Sequence, residues 1–340
     1  MAVVKTPFQQ HSQYYKPEKT EQYPQQIVDV SDWSIGDLEI YEEGARDKAK
    51  VVAPAKPGYQ FLIGGHPYLL KRTYSVKETG TILFEQFWNE IIAYQLGRVL
   101  QVKVPPAFLA YFAGDGQELY YGSLIEWFYA YGGKDEAKRG EDIIVNYIDD
   151  YDKKRGKQHN FQTVVQIFED YQVENWLADL AEMLTFDAII GNTDRHQNNW
   201  QIVDYTESGK RLLSPTFDNG TSLGYEIRSE HIAPYLAQGW EGKHDKRARK
   251  GYHHMRWEID DAAQANHFDL LEKMADKFPD TRASITRILG EDIAPIFAKI
   301  DQLCEYELKD RRYELSRQRA EFIKRMICFR FNYARKRFEL

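Results

Sequence analysis

The feature that most limits what this chain can become is an apolar helix that runs directly into a polar loop. In VENWLADLAEMLTFDAIIGN, Trp176, Leu177, Leu180, Leu184 and Ile189 recur at helical spacing. The segment therefore predicts a buried helix that delivers the chain to Asn192. The polar stretch NTDRHQNN follows, and then two short runs, WQIVDY and RLLSPTF, that read as a hairpin around Glu207-Ser208-Gly209 and end at FDNG.

Upstream the pattern is different. Residues 1–30 are rich in Gln, Tyr, Pro and Lys with little apolar periodicity, and are expected to form a flexible arm. Residues 31–128 suggest short strands around one long helix. YEEGARDKAKVVAP reads as a strand, a tight turn at Gly44 and a returning strand. YQFLIGGHPYLLKRTYS reads as a hairpin around Gly64-Gly65, because a Gly pair supplies the positive φ of a two-residue turn. In ILFEQFWNEIIAYQLGRVL, Phe84, Phe87, Trp88, Ile91 and Tyr94 mark an amphipathic helix, and FLAYFAG and LYYGSLIEWF offer two more strands. Residues 260–340 read as mostly helical, broken at Pro279 and Pro295. With 340 residues there is material for two lobes. The expected class is α+β, with a small β-rich lobe over residues 31–128 and a larger helical lobe over 129–340.

Composition narrows the function classes. The chain is 43% hydrophobic and 29% charged, as soluble globular proteins are. No apolar run approaches the roughly 20 residues that cross a bilayer, and the N-terminus lacks a secretory pattern, so no integral membrane association is expected. Two cysteines, Cys304 and Cys328, are too few for a disulfide framework and suit a reducing cytoplasm. A net charge of −7 argues against nucleic acid as a partner. Residues 309–340 hold eleven Lys or Arg and four Asp or Glu, a run of +7 within the −7 total, which is read as a solvated face.

Phosphoryl transfer from ATP requires a group that orients the attacking hydroxyl and divalent ions that hold the phosphates. Mg²⁺, or Mn²⁺ in its place, takes hard oxygen ligands. Asp194, Asn199 five residues later, and Asp218 beyond the hairpin supply such a set. Asp194 is the candidate to orient or accept the acceptor proton, and Asn199 and Asp218 are the candidate metal ligands. His196 could contact nucleotide phosphates, help proton transfer or scaffold the loop, and the first is preferred. Gly220 would let the backbone turn sharply after the metal ligand. Singly, Asp194 could cap a helix and Asp218 could close a hairpin; order, spacing and the preceding helix carry the reading. His244, His253 and His254 lie close in sequence but lack the clustered Cys or helical His pair of a zinc site.

GNTDRHQNN followed by LSPTFDNG resembles the catalytic and metal-binding segments of the HipA-like serine/threonine kinases, and the resemblance covers most of residues 40–225. It implies a two-lobed, protein-kinase-like fold, ATP with Mg²⁺, and a protein substrate with a Ser or Thr acceptor. It implies that Lys71, in YLLKRTYS, contacts the ATP phosphates and that Glu90, in FWNEIIAYQLG, pairs with that lysine. Glu43-Gly44-Ala45-Arg46-Asp47-Lys48 is similar to the family's nucleotide loop. There Gly44 and Ala45 would allow close backbone approach to phosphate, and Arg46 and Lys48 would add charge. Family members often carry a Ser in or before this loop, where autophosphorylation can switch them off. Glu42 and Glu43 stand there instead, so that route is not expected. Ile125-Glu126-Trp127 is the expected hinge whose backbone reads the adenine edge. The family includes bacterial toxins, so an antitoxin or other regulatory partner is implied by resemblance alone.

Asp194-Arg195-His196 with Asn199 is also similar to the Asp-Arg-His-x-x-Asn loop of phosphatidylinositol kinases, making a lipid kinase the alternative. Chain length, the Gly-Ala-Arg-Asp-Lys loop and the helix ending YQLG favour the protein kinase. A nucleotide-binding pseudokinase acting as an interaction protein is a further alternative, as is a role centred on the basic C-terminal helix. KHDKRARK, with Tyr252 and Trp257 beyond it, lies near where an acceptor should dock, and reads equally as a basic surface for an acidic protein, a phosphate-rich surface or RNA, or as a flexible solvated loop.

Overall fold

Alternating burial along the first half of the chain lays down a curled six-stranded sheet. The computed structural model describes residues 5–16, 21–35, 48–76, 81–114, 118–131, 134–153 and 155–340. Gly44, Ala45 and Arg46, the turn expected at Gly44, and Glu42 and Glu43 lie outside the described residues. After a short helix α1 (Pro7–His11) come β1 (Val28–Asp29), β2 (Ser34–Ile35), β3 (Lys48–Val52) and β4 (Pro67–Arg72). A small hairpin, β5 (Tyr74–Val76) and β6 (Thr81–Leu83), leads to helix α2 (Trp88–Val99), then β7 (Ala107–Ala113) and β8 (Leu119–Glu126). The sheet order is β1-β7-β8-β4-β3-β2, antiparallel except for the parallel β1–β7 pair. Helix α2 lies against β7 and β8 with Trp88, Ile91, Ile92, Tyr94 and Leu96 buried.

Two expectations in this lobe are corrected. β4 pairs with β3, from Lys48 opposite Lys71 to Val52 opposite Pro67, and not with residues 59–63. Phe61 and Leu62 are both buried, and neighbouring residues of a strand face opposite ways, so this stretch turns instead. Gly65 takes the positive φ, 70°. Residues 5–16, expected within a flexible arm, are packed in place. Thr6 and Gln9 form a reciprocal capping box that starts α1. Phe8 then enters a small core with Phe128, Val203 and Tyr205, and the Gln13 N–H donates to Glu126 at 3.2 Å. The apolar residues of this stretch are too few to show a period, yet each finds a partner on the large body.

The second half contains β9 (Glu136–Arg139), α3 (Gly140–Ile144), α4 (Phe161–Asp170), α5 (Trp176–Ile190), β10 (Gln201–Tyr205) and β11 (Lys210–Leu213). Helices α6 (Trp240–Lys250), α7 (His267–Lys277), α8 (Thr281–Leu289), α9 (Ala294–Leu303) and α10 (Arg317–Arg337) complete it. From Leu180 onward α5 is buried almost all round, because α7, α8 and α10 enclose it. Gly191, at φ 65°, ends it in the left-handed cap that glycine favours. Pro279 separates α7 from α8, whereas Pro295 opens α9 in its first turn, where no backbone donor is needed.

The basic C-terminal run is structural. Phe322, Ile323, Met326, Ile327 and Phe331 bury one face of α10. Its charges pair: Arg319 with Glu85, Lys324 with Asp301, Arg325 with Glu321, and Arg337 with Asp269 and Glu272. Among the described residues, no helix is long and apolar enough to cross a membrane.

Candidate active site

Lys71 departs from the alternation of β4: Leu70 beside it is buried on one face, and Lys71, on the other, has a side chain only 2% exposed. A buried ammonium must be compensated. Lys71 Nζ lies 2.7 Å from Glu90 Oε1 and 2.8 Å from Asp218 Oδ1. Lys48, opposite Lys71 in the strand register, reaches the other oxygen of Asp218 at 3.4 Å. Two lysines side by side would repel; the carboxylate between them reverses that. Glu90 does more than neutralise Lys71. Its Oε2 accepts the Asn219 N–H at 3.0 Å and its Oε1 the Gly220 N–H at 3.1 Å. The turn before α2 adds Gln86, which donates to the Gly220 carbonyl, and the first turn of α2 adds Asn89, which donates to the Ser222 carbonyl at 2.8 Å.

The loop after α5 is held from below by a pair of residues that sequence reasoning missed. Asp187, in an otherwise apolar helix, and Arg195 are both fully buried and share two bonds of 2.9 Å. Burial alone would raise the Asp187 carboxyl, but Arg195 and then His253 hold it below the usual range. The Asn192 side chain and His253 Nε2 also donate to Asp187, at 3.1 and 3.2 Å, and His267 Nε2 donates to the Asn192 carbonyl at 2.6 Å. Arg195 Nη1 donates to the carbonyls of Asn199 and Phe217, and Nη2 to Asn219 Oδ1 at 2.8 Å. One guanidinium thus ties the loop carrying Asp194 and Asn199 to the segment carrying Asp218. The sequence signal was there: a lone Asp inside TFDAII demands a buried partner.

Above this base, Asp194 keeps its carboxylate half-exposed. Its N–H donates to Asn192 Oδ1 at 3.0 Å, and Thr221 Oγ lies 3.4 Å from its Oδ2. Asn199 Nδ2 donates to the Asp194 carbonyl at 2.6 Å, which leaves the amide oxygen of Asn199 as its ligand atom. His196 Nδ1 accepts the Asn198 N–H at 3.1 Å, so in the neutral ring the proton sits on Nε2, 4.0 Å from Asp194 Oδ1.

Two sequence expectations change here. The left-handed residue is Asp218 itself, at φ 56°, and not Gly220. Asp tolerates that region better than most residues, at a cost of about 1 kcal/mol or more; the ion pairs to Lys71 and Lys48 hold it there. Most of the backbone groups expected to read adenine have partners among the described residues, the Glu126 carbonyl excepted, since its ladder neighbour Pro106 has no N–H. Ile125 pairs within the sheet opposite Leu69 and Ala107, the Glu126 N–H donates to Pro106, the Trp127 N–H donates to Pro67, and the Trp127 carbonyl accepts from His66 at 2.7 Å. Glu126 is nevertheless distinctive: burial pushes its carboxyl up to about 7, against hydrogen bonds from Ser12, Tyr131 and Gln13.

Among the described residues, no three His, Cys, Asp or Glu side chains gather as a metal-holding group. A divalent ion here would use the Asp218 carboxylate, the Asn199 amide oxygen and oxygens of a phosphate ligand. That hard-oxygen set fits Mg²⁺.

The architecture defines a class: an α+β, two-lobed kinase-like fold. Over 92% of this chain and 99% of that chain it superposes on the Helicobacter pylori proinflammatory kinase CtkA, with a TM-score of 0.67 at 16% identity. Residues 42–291 match the HipA-like C-terminal domain family, and the chain belongs to it. More distant likenesses are to the Shewanella oneidensis MR-1 HipA in its complex with HipB and operator DNA (TM-score 0.45, 14% identity, 90% of this chain and 68% of that one) and to the Golgi casein kinase (0.38, 12%, 91% and 73%). No curated protein matches significantly. Family and fold are those of kinase-type phosphotransferases.

Proposed function

We propose that the chain is an ATP- and Mg²⁺-dependent serine/threonine protein kinase. The observation that carries this reading is the meeting of Lys71, Glu90 and Asp218, tied through Arg195 to the loop of Asp194 and Asn199. Lys71, fixed by Glu90, would bind the ATP phosphates, with Lys48 beside it. Asn199 and Asp218 would hold the metal, which when bound neutralises phosphate charge. Asp194 would take a hydrogen bond from the acceptor hydroxyl and aim its oxygen at the γ-phosphorus. His196, whose Nε2 carries the proton and lies 4.0 Å from Asp194 Oδ1, would contact phosphate rather than act as the base. With the N–H groups of Glu126 and Trp127 bonded to Pro106 and Pro67, the adenine edge would be read by the Glu126 carbonyl together with residues 128–131, where the chain leaves β8. Both cysteines are free, in keeping with a reducing cytoplasm. A regulatory protein partner of the antitoxin kind belongs to the same proposal, on the strength of family membership.

The test is incubation with labelled ATP, Mg²⁺, a lysate and phosphoinositide vesicles, comparing wild type with Asp194→Ala and Asp218→Ala. Label should enter protein seryl or threonyl groups with wild type alone. Equal transfer by all three would refute the mechanism, label in lipid would make it a lipid kinase, and ATP binding without transfer would make it a pseudokinase.

A further inference from the structure

The segment after Asp218 is fastened to the beginning of α2 at successive points. Glu90, Gln86 and Asn89 hold Asn219, Gly220 and Ser222, and the last point is Ser229, whose Oγ donates to Glu85 Oε2 at 2.8 Å. Glu85 stands in the turn that opens α2. Its other oxygen accepts the Ser316 N–H at 2.8 Å, and Arg319 lies 3.7 Å from its carboxylate. Arg319 is itself buried, donates to the Ile227 carbonyl at 2.6 Å, and lies 3.4 Å from Ser229 Oγ. Thr221 and Ser222 are buried, whereas Ser229 is exposed at the start of a 3₁₀ turn. It borders a cavity of about 510 Å³ whose wall includes Glu85, Arg228, Arg311, Arg312 and Arg319.

We propose that Ser229 is a phosphorylation site and that a phosphoryl group there unlatches helix α2 from the segment bearing Asp218. The inference rests on the kinase reading only for its donor, a second copy of this chain with ATP. Ser229 Oγ attacks the γ-phosphorus, the bond to the β-phosphate oxygen breaks, ADP leaves, and the hydroxyl proton is released to solvent. The product carries about −1.5 to −2 charges where a neutral hydroxyl now meets a carboxylate. Phosphate and Glu85 then repel, while the arginines of the cavity wall offer the phosphate charge-assisted bonds. Repulsion drives Glu85 and the turn that opens α2 outward, which the loss of the hydroxyl alone would not do, and Glu90 one turn further on holds Lys71 and the Asn219–Gly220 amides less firmly. The modified chain is the less active form.

Asp194→Ala chain offered to wild type with labelled ATP should be labelled at Ser229. Transfer to other acceptors with Ser229 unmodified would overturn the site. Phosphoserine installed at position 229 of the full chain should speed amide hydrogen exchange over residues 88–92 and lower kcat/KM about tenfold. Unchanged exchange would overturn the latch. Ser229→Asp should reproduce part of the effect and be restored by Glu85→Gln, because the damage is charge repulsion. Ser229→Ala should stay within about twofold of wild type, and an equal loss in Ser229→Ala and Ser229→Asp would reduce the contact to packing. A wild type that phosphorylates nothing refutes the proposed function instead, and the installed phosphoserine still decides the latch.

Discussion

The Arg195 guanidinium faces the Asp187 carboxylate side-on, two bonds of 2.9 Å closing a buried pair beneath the loop of Asp194. Breaking one member of such a pair strands the other charge. Asp187→Asn should lower stability by about 3 kcal/mol. Thermal and denaturant unfolding would measure it, and a change under about 1 kcal/mol would show that the Asn199 and Phe217 carbonyls and Asn219 Oδ1 suffice for Arg195.

Lys71 and Lys48 share Asp218 but differ in burial and in partners. Lys71→Met should cut phosphotransfer by about 100-fold or more while the fold survives, because Glu90 keeps its two backbone donors. Lys48→Met, which leaves the 2.8 Å pair intact, should cost about tenfold. Steady-state kinetics with varied ATP would rank the two, and the reverse order would reassign the phosphate contact.

Glu126 gives a dependence on pH with an unusual sign. Its folded value near 7 exceeds the ordinary 4.5, so between these values the folded chain holds the proton that the unfolded chain has lost. Stability from this group therefore falls as pH rises from about 4.5 to 7. Glu126→Gln cannot lose a proton there. Its stability relative to wild type should climb across that window by up to about 3 kcal/mol, and a flat difference between pH 4.5 and 7 would contradict it.

The buried histidines act in the opposite sense. Burial lowers His254 to about 4 and depresses His159 and His267, so the unfolded chain binds protons that the folded one refuses. Stability from these groups is complete above about pH 6.5 and lost as pH falls toward 4. His159→Gln should flatten the acid limb of the unfolding curve if Trp200 keeps its 3.2 Å partner.

Phe8 is 3% exposed and sits among Phe128, Val203 and Tyr205. Phe8→Ala should cost about 3 kcal/mol, as large-to-small changes in a core do, read as a lowered denaturation midpoint. A loss below about 0.5 kcal/mol would mean that α1 rests on the body without supporting it.

Periodicity was enough for the elements whose burial follows a regular stripe. Helices α2 and α5, the β7–β8 pair and the β10–β11 hairpin stand where the apolar spacing puts them. It failed where contacts are long-range or irregular. Phe61 and Leu62 break the strand alternation, and the packing of α1, beyond its local capping box, depends on partners more than a hundred residues away. Within the candidate site, the polar residues were conspicuous because they interrupt apolar surroundings. Which backbone groups were already spent could not be seen, such as the N–H groups of Glu126 and Trp127, nor that the left-handed residue is Asp218.

The seat of Phe8 also orders events in time. Its partners Val203 and Tyr205 lie about 195 residues further along the chain, and closing so wide a loop is slow. During synthesis α1 meets Phe128 and Glu126 first, and β10 completes its seat only after α5 and the polar loop are made. The junction of the lobes is therefore among the last parts to be finished, and a nascent chain halted before residue 200 would hold an aromatic strap fastened on one side alone.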